Sequence, residues 1–553
     1  IYVFIKGYLN LTKLYQIMAI NERKYDLVFL LFLFLLLILF KYPVLNLPYY
    51  WDGLNYIAPT IDKIYHGEIN WDLLDSNRGH PLFLPFFIAF LFKIFGAYQV
   101  IANSAILFFS LLVLYFTYLI GKELFNRPVG IIASLLLMFT PIFFSYSAML
   151  FLDIPLTALM IMSIYFSIKS KPIPYIIFSS LAILTKELGI LVVFGVFLSK
   201  LIKKDRNLIL YCSPLLIFFL SLLINKLLYN QIFYPLNASV IHIMPIKNLF
   251  NLLIILKTIF FDQYRWLLTS LFLISFIDIK KLKVIKNLKK FIFCSIIFLI
   301  MFIFLYNINF FTKFFLNYYP NISTYFNTVK SFSLLFSLLF IVIILTYKEI
   351  IKFIIGLKNH EIVITLLMII SLLIFIIPVA TRYLLPSLPI IFLLYSFSIN
   401  KLFKNYKYLI LIIIIIIFSL NYFGNRSTEG FTLENNMEYV DLIKTHQLAS
   451  SYIENNFPDS VVLAAFPQSF ELKYPYSGYV KKPLNVATIN PLPNLADKNK
   501  NFSINPDNIN IYYYSPQEHS SKQILDVKEQ LNLTLIKRFE INNKSTEIYI
   551  VNK

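Results

Sequence analysis

The chain alternates long apolar runs with short polar ones, and its C-terminal part breaks that rhythm. LVFLLFLFLLLILF (27–40) and YLILIIIIIIFSL (408–420) contain no charged residue. Runs of this kind predict helices that cross a bilayer. The same pattern predicts spans at 26–45, 98–120, 129–147, 154–169, 174–185, 188–202, 207–226, 264–279, 291–310, 329–347, 361–379, 384–400 and 408–422. The segment HPLFLPFFIAFLFKIFG (80–96) is apolar too, but it is short, opens on His-Pro and carries Lys93. Beyond residue 423 the pattern turns polar, with Asn, Ser, Pro and Lys. There YVDLIKTHQLASSYIENNF (439–457) has helical spacing, whereas VVLAAF (461–466), INIYYY (509–514), LTLIKRFEI (533–541) and TEIYIVN (546–552) read as strands. The pattern predicts an α-helical polytopic membrane protein with a small α/β C-terminal domain.

Composition removes the soluble classes, since 58% of the 553 residues are hydrophobic and only 14% are charged. The net charge of +20 is explained by basic loops on the cytoplasmic side. A nucleic-acid partner is not expected, because no soluble module with a basic face is visible. Loop charge also decides the short segment. If 80–96 lies in the interface without crossing, then GKELFNR (121–127), KSKP (169–172), KLIKKDR (200–206), KKLKVIKNLKK (280–290), TYKEIIKFIIGLK (346–358) and NKLFKNYK (400–407) all face the cytoplasm. If it crossed, all of them would move outside. The expectation is therefore about thirteen spans in the plasma membrane, with 1–25 cytoplasmic, 26–422 as the membrane domain and 423–553 as an extracytoplasmic domain. Residues 46–97 form one outer loop that contains an interfacial helix.

Asn-x-Ser/Thr sites at Asn237, Asn321, Asn425, Asn501, Asn532 and Asn543 fall on the outer side in this topology. The first span is expected to be an uncleaved anchor, and Met18 is read as the start, with 1–17 upstream. Cys212 and Cys294 sit in apolar runs and form neither a disulfide framework nor a CxxC site.

The same topology puts Asp52, Asp153, Lys186 and Arg382 on one face. In YYWDGLNYI (49–57) the aromatic residues mark the membrane edge, so Asp52 sits at headgroup depth; taken alone, it also reads as a solvated loop acid. In FLDIPLTAL (151–159) Asp153 precedes Pro155 and could simply cap a helix. In LAILTKELGILVV (181–193) Lys186 could snorkel or pair with Glu187, and Arg382 in TRYLLPSLP (381–389) could snorkel as well. Taken together, two carboxylates and two cations beside aromatic walls suit sugar transfer from a polyprenyl phosphate. Cations bind phosphate and stabilise it as it leaves, and a carboxylate accepts the proton of an acceptor hydroxyl.

In order over about 26–400, WDGLNY, GHPL (79–82) with FKIFG (92–96), LDIPLTAL, LTKELG and RYLLPSLP resemble the C-type superfamily of membrane glycosyltransferases. The resemblance is to the branch of protein O-mannosyltransferases and lipid A aminoarabinose transferase. It implies the C-type fold and an inverting transfer from a dolichyl- or undecaprenyl-phosphate sugar to an extracytoplasmic hydroxyl on protein, lipid or glycan. It further implies catalytic roles for Asp52 and Asp153, phosphate binding by Lys186 and Arg382, and substrate contacts at Tyr56, His80, Glu187 and Tyr383. Many relatives carry a second acid where Gly53 stands, and HPL replaces the commoner His-Pro-Pro. The missing acid leaves a divalent metal without indication. Glu68, Asp72 and Asp75 could compensate but read as solvated loop acids, and no cofactor is assigned.

Three rival readings have less support. A transporter or lipid flippase would place its charges near the midplane, often within repeats, and neither is evident. A structural membrane protein would not need the acid–cation cluster. An oligosaccharide-transferring relative would carry a WWDYG-like signature, which the C-terminal domain lacks. No phosphate-cradling G-x-x-x-x-G-K-[ST] loop occurs. Sugar and acceptor are not legible; acceptor pockets are expected in 227–263, 311–328 and the C-terminal domain.

Overall fold

The computed structural model describes residues 2–235, 245–276, 346–353, 356, 361–373, 381–424, 436–489, 509–518 and 522–552. The expected span 291–310, nearly all of 329–347, the loops 280–290 and 311–328, Cys294 and the acceptor sites at Asn237, Asn321, Asn425 and Asn501 lie outside the described residues.

Helix α1 (Tyr2–Lys41) runs through the first apolar stretch. The chain then crosses the predicted outer loop as a π-helical turn (Gly53–Ile57), α2 (Ala58–His66), α3 (Asp72–Ser76) and α4 (Phe83–Phe95). At about 1.5 Å per residue, the 13 residues of α4 reach only about 20 Å, short of a bilayer core of about 30 Å. This helix packs on α2, on α5 (Gln99–Leu124) and on α9 (Pro172–Thr185).

The expected span 129–147 is broken. It forms α6 (Arg127–Phe139) and α7 (Pro141–Tyr146), with Pro141 opening the second helix, where its missing N–H costs nothing. The expected span 207–226 is likewise split, into α11 (Leu208–Cys212) and α12 (Leu215–Tyr229), at Ser213-Pro214. Helices α5 and α6 touch through glycine. A Cβ added to Gly130 would stand 2.3 Å from the Tyr118 carbonyl oxygen, and one on Gly121 would stand 2.6 Å from the Cα of Gly130. Small residues permit this close approach of two membrane helices. Helix α8 (Asp153–Ile168) is buried along most of its length and packs on α5, α9 and α10 (Ile190–Ile202).

Four described helical stretches are long and apolar enough to cross a membrane: Glu22–Val44, Gln99–Leu124, Leu208–Tyr229 and Thr381–Leu402. Shorter apolar helices, among them α6, α8, α9 and Lys407–Leu420, accompany them. The chain is a multi-pass membrane protein.

Ion pairs gather at two ends of the helical body. At one end Lys122 meets Asp26 at 2.9 Å, Lys203 meets Glu361 at 3.2 Å, and Lys169 meets Glu123. At the other end lie Asp52, Asp153, Lys186 and Arg382.

The C-terminal residues form a five-stranded sheet, ordered β2-β1-β3-β5-β4. Strands β1 (Val462–Ala465), β2 (Val486–Ile489) and β3 (Ile511–Tyr514) run parallel, and β4 (Leu533–Ile541) and β5 (Lys544–Val551) add an antiparallel hairpin. Its two-residue turn, Asn542-Asn543, has positive φ at both positions, as the twist of such hairpins favours. β1 and β3 are buried on both faces, the usual condition of central parallel strands. The helix Glu438–Asn456 covers β4 and β5. The expected strands are thus present, whereas the short strand β2 and the helices Gln468–Lys473 and Lys522–Gln530 had no reading in the sequence.

This domain sits on the stretch that precedes Asp52. The Tyr49 N–H donates to the Ser477 carbonyl at 3.1 Å, Trp51 meets the Phe466 ring edge-on at 5.4 Å, and the Tyr50 hydroxyl donates to Glu518.

Candidate active site

Asp52 is placed by its neighbours on both sides. Trp51 adopts a φ of 43°, uncommon for a bulky residue, and the docked C-terminal domain holds its ring. Gly53 passes so close to α8's leading loop that an added Cβ would stand 2.7 Å from the Leu150 carbonyl oxygen. There is no room at 53 for the second acid that many members of the resembling family carry. The π-helical turn then brings Tyr56 round, and its hydroxyl donates to Asp52 Oδ2 at 2.9 Å.

Arg382, in the 3-10 segment Thr381–Ser387, donates from Nη2 to the same Oδ2 at 2.5 Å. Its Nε lies 3.5 Å from Asp153 Oδ2, and its guanidinium sits between the rings of Phe151 and Tyr383 at 5.3 and 5.6 Å. One arginine thus bridges the two acids. Among the described residues no hydrogen bond reaches Asp52 Oδ1, so the carboxylate is clamped by one oxygen only.

Asp153 is the first residue of α8, but its side chain does not cap the helix. It is 3% exposed, and Oδ1 meets Lys186 Nζ at 2.8 Å. Lys186 is extended between α9 and the turn Glu187–Gly189, and its Nζ stands 4.3 Å over the Tyr383 ring. Lys186 therefore neither snorkels nor pairs with Glu187. Glu187 faces the other way, to His80 Nδ1 at 2.9 Å, and the His80 ring lies 5.9 Å from that of Tyr56. All eight residues read from the sequence join one chain of contacts: Glu187, His80, Tyr56, Asp52, Arg382, Asp153, Lys186 and Tyr383. Glu68, Asp72 and Asp75 are exposed and stay outside it.

The electrostatics follow from burial and pairing. Burial works against the charge on Lys186, but Asp153 outweighs it and holds the ammonium above its usual range. Burial, then Asp52, raises Tyr56 well above a normal phenol, so it remains a donor. Burial opposes the charge of Glu187, but His80 overrides it and draws the carboxyl down.

A cavity of about 460 Å³ opens beside the cluster, lined by Trp71, Leu74, Leu82, Phe86, Leu184 and Ile224, with Glu187 in its wall. Sequence reasoning had missed the Phe151 face that stacks on Arg382, although it adjoins LDIPLTAL. It had also missed Arg78, just before His80-Pro81, whose guanidinium lies 5.6 Å over the Tyr56 ring.

Residues 79–229 match the family described as dolichyl-phosphate-mannose-protein mannosyltransferase. No curated protein sequence gives a significant match. Among solved structures, ArnT from Cupriavidus metallidurans bound to undecaprenyl phosphate is 11% identical with a TM-score of 0.47, covering 95% of this chain and 97% of that one. The apo state of the same protein is 10% identical with a TM-score of 0.45, covering 96% and 98%. Over 79–229, which spans His80, Asp153, Lys186 and Glu187, the chain is similar to the mannosyltransferase family whose branch its own motifs resemble.

Proposed function

We propose that this protein is a polyprenyl-phosphate-dependent glycosyltransferase that moves a sugar from the lipid carrier to a hydroxyl acceptor on the extracytoplasmic side. The observation that carries the reading is the Asp52 carboxylate, clamped through Oδ2 by Tyr56 and Arg382, with no hydrogen bond to Oδ1 among the described residues. An acceptor hydroxyl delivers its proton to Oδ1 as its oxygen attacks the anomeric carbon. The bond between that carbon and the phosphate oxygen breaks, and its electron pair leaves on the phosphate. One displacement inverts the anomeric centre.

Arg382 and Lys186, fixed by Asp153, stabilise the departing phosphate. Asp153 is in this reading a positioning residue that keeps two cations charged and in place. Phe151 and Tyr383 hold the guanidinium plane, and Glu187 orients His80 toward the donor. The apolar cavity takes part of the isoprenoid chain. The protein's catalytic domain is 26–422, with about thirteen spans, and its outer domain is 423–553. The short α4 supports an outer loop over 46–97, and the sorting of ion pairs into two ends supports the sides assigned by loop charge. Charges gathered at one end favour an enzyme over a transporter with a midplane site.

Deleting the gene and analysing lipid extracts by mass spectrometry tests the proposal. A polyprenyl-phosphate sugar should accumulate and disappear on re-expression. An unchanged lipid profile, with loss of no glycan, would overturn it.

A further inference from the structure

The site is less positive than its cations suggest. Lys186 and Arg382 are committed to Asp153 and Asp52, and Glu187 adds a third carboxylate whose partner, His80, is charged only when protonated. The three carboxylates outnumber the two permanently charged cations, an unfavourable setting for a phosphodiester and worse for the phosphate that leaves. A further cation is needed within the same shell.

Resting on the glycosyltransferase reading, we infer that Arg78 is that cation and binds the donor phosphate directly. Among the described residues, its guanidinium makes no ion pair or hydrogen bond. It is half-buried and lies 5.6 Å over the ring of Tyr56, the residue that donates to Asp52. A spare surface arginine would extend into water; this one turns back over the site.

The turn that carries it is built for the purpose. Arg78 has a φ of 54° and Gly79 one of 74°, a left-handed pair that costs energy at the arginine. Buried Asn77 secures the turn, donating from Nδ2 to the His80 and Pro81 carbonyls at 2.9 and 3.0 Å. The Gly79 N–H donates to Leu74 O at 2.6 Å, and the Tyr234 ring occupies the space that a Cβ at 79 would need. Gly79 also lines the apolar cavity, so this turn connects a place for the isoprenoid chain to a cation for its phosphate. Guanidinium suits the task, since it offers two parallel donors to phosphate oxygens.

The test uses the full chain in nanodiscs, with undecaprenyl phosphate and dolichyl phosphate as probes and the two parent alcohols as controls. Arg78→Asn removes the charge while keeping a residue that tolerates the left-handed turn, and Arg78→Lys keeps the charge. Loss of one charge-assisted contact weakens binding on the order of 10–100-fold. We expect that loss for Arg78→Asn with the phosphates, none with the alcohols, and recovery of only part of the affinity in Arg78→Lys, which keeps the charge without the two parallel donors. A structural role alone would lower phosphate and alcohol binding together. If the wild type binds the phosphates and Arg78→Asn binds them equally well, or weakens phosphate and alcohol alike, the assignment of Arg78 falls and the glycosyltransferase reading stands. If the wild type binds neither phosphate better than its alcohol, both fall.

Discussion

Replacing Asp153 with asparagine separates two accounts of that residue. As a helix cap it would be nearly interchangeable, because Asn caps about as well as Asp. The structure instead commits Asp153 to Lys186 at 2.8 Å, with exposures of 3% and 8%, and to Arg382 at 3.5 Å. Removing one partner of a buried pair leaves an uncompensated charge, at a cost of about 3–5 kcal/mol. Asp153→Asn should therefore unfold well below the wild type in nanodiscs, followed by thermal denaturation at neutral pH. Lys186→Met should also be destabilised, since it leaves the buried Asp153 carboxylate with only the longer contact to Arg382. The double variant should recover part of the loss, because both charges leave together; recovery stays incomplete while Arg382 lacks one acid. Wild-type stability in Asp153→Asn, or a double variant no better than the worse single one, would refute the pairing.

Cysteine placed at Asn405 should resist an impermeant maleimide in intact cells, whereas cysteine at Lys481 should react, in a chain lacking Cys212 and Cys294; the reverse pattern would invert the topology. Gly130→Leu should disrupt the packing of α5 against α6 and lower the yield of folded protein by size-exclusion chromatography, because the Tyr118 carbonyl occupies the space the side chain needs. In the C-terminal domain, burial opposes the charge on His446, but Glu471 and Glu518 outweigh it and raise its affinity for protons above the ordinary value of 6.5. Its stabilisation is then full below about pH 6.5 and lost as pH rises through the raised folded value. Thermal stability should fall over that rise, and His446→Gln should flatten it.

The apolar helical character of the membrane part was legible because long uncharged runs record buried or membrane-facing helices. The acids and cations at span mouths were legible as outliers, since charge there is costly. Their pairing was not. Asp52 and Arg382 are 330 residues apart in sequence, and nothing local says that Lys186 takes Asp153 and leaves Glu187 to His80. The breaks at Pro141 and Pro214 were written in the sequence but masked by the apolar runs around them. β2 is four residues long and only partly buried, too short for alternation to register. Arg78 read as one more loop charge, because its importance lies in a positive φ and an aromatic ring that only the fold supplies.

The central claim is that Asp52 accepts the acceptor's proton while Oδ2 is held by Tyr56 and Arg382. Asp52→Asn keeps the shape and removes the basic oxygen, and general-base help is typically about 10²–10⁴-fold in rate. The most direct measurement is the rate at which the variant consumes the polyprenyl-phosphate sugar that accumulates in the deletion strain, at matched protein level and with binding of the carrier phosphate measured alongside. The account predicts turnover lower by about 10²–10⁴-fold with carrier binding retained. Wild-type turnover in Asp52→Asn would contradict it.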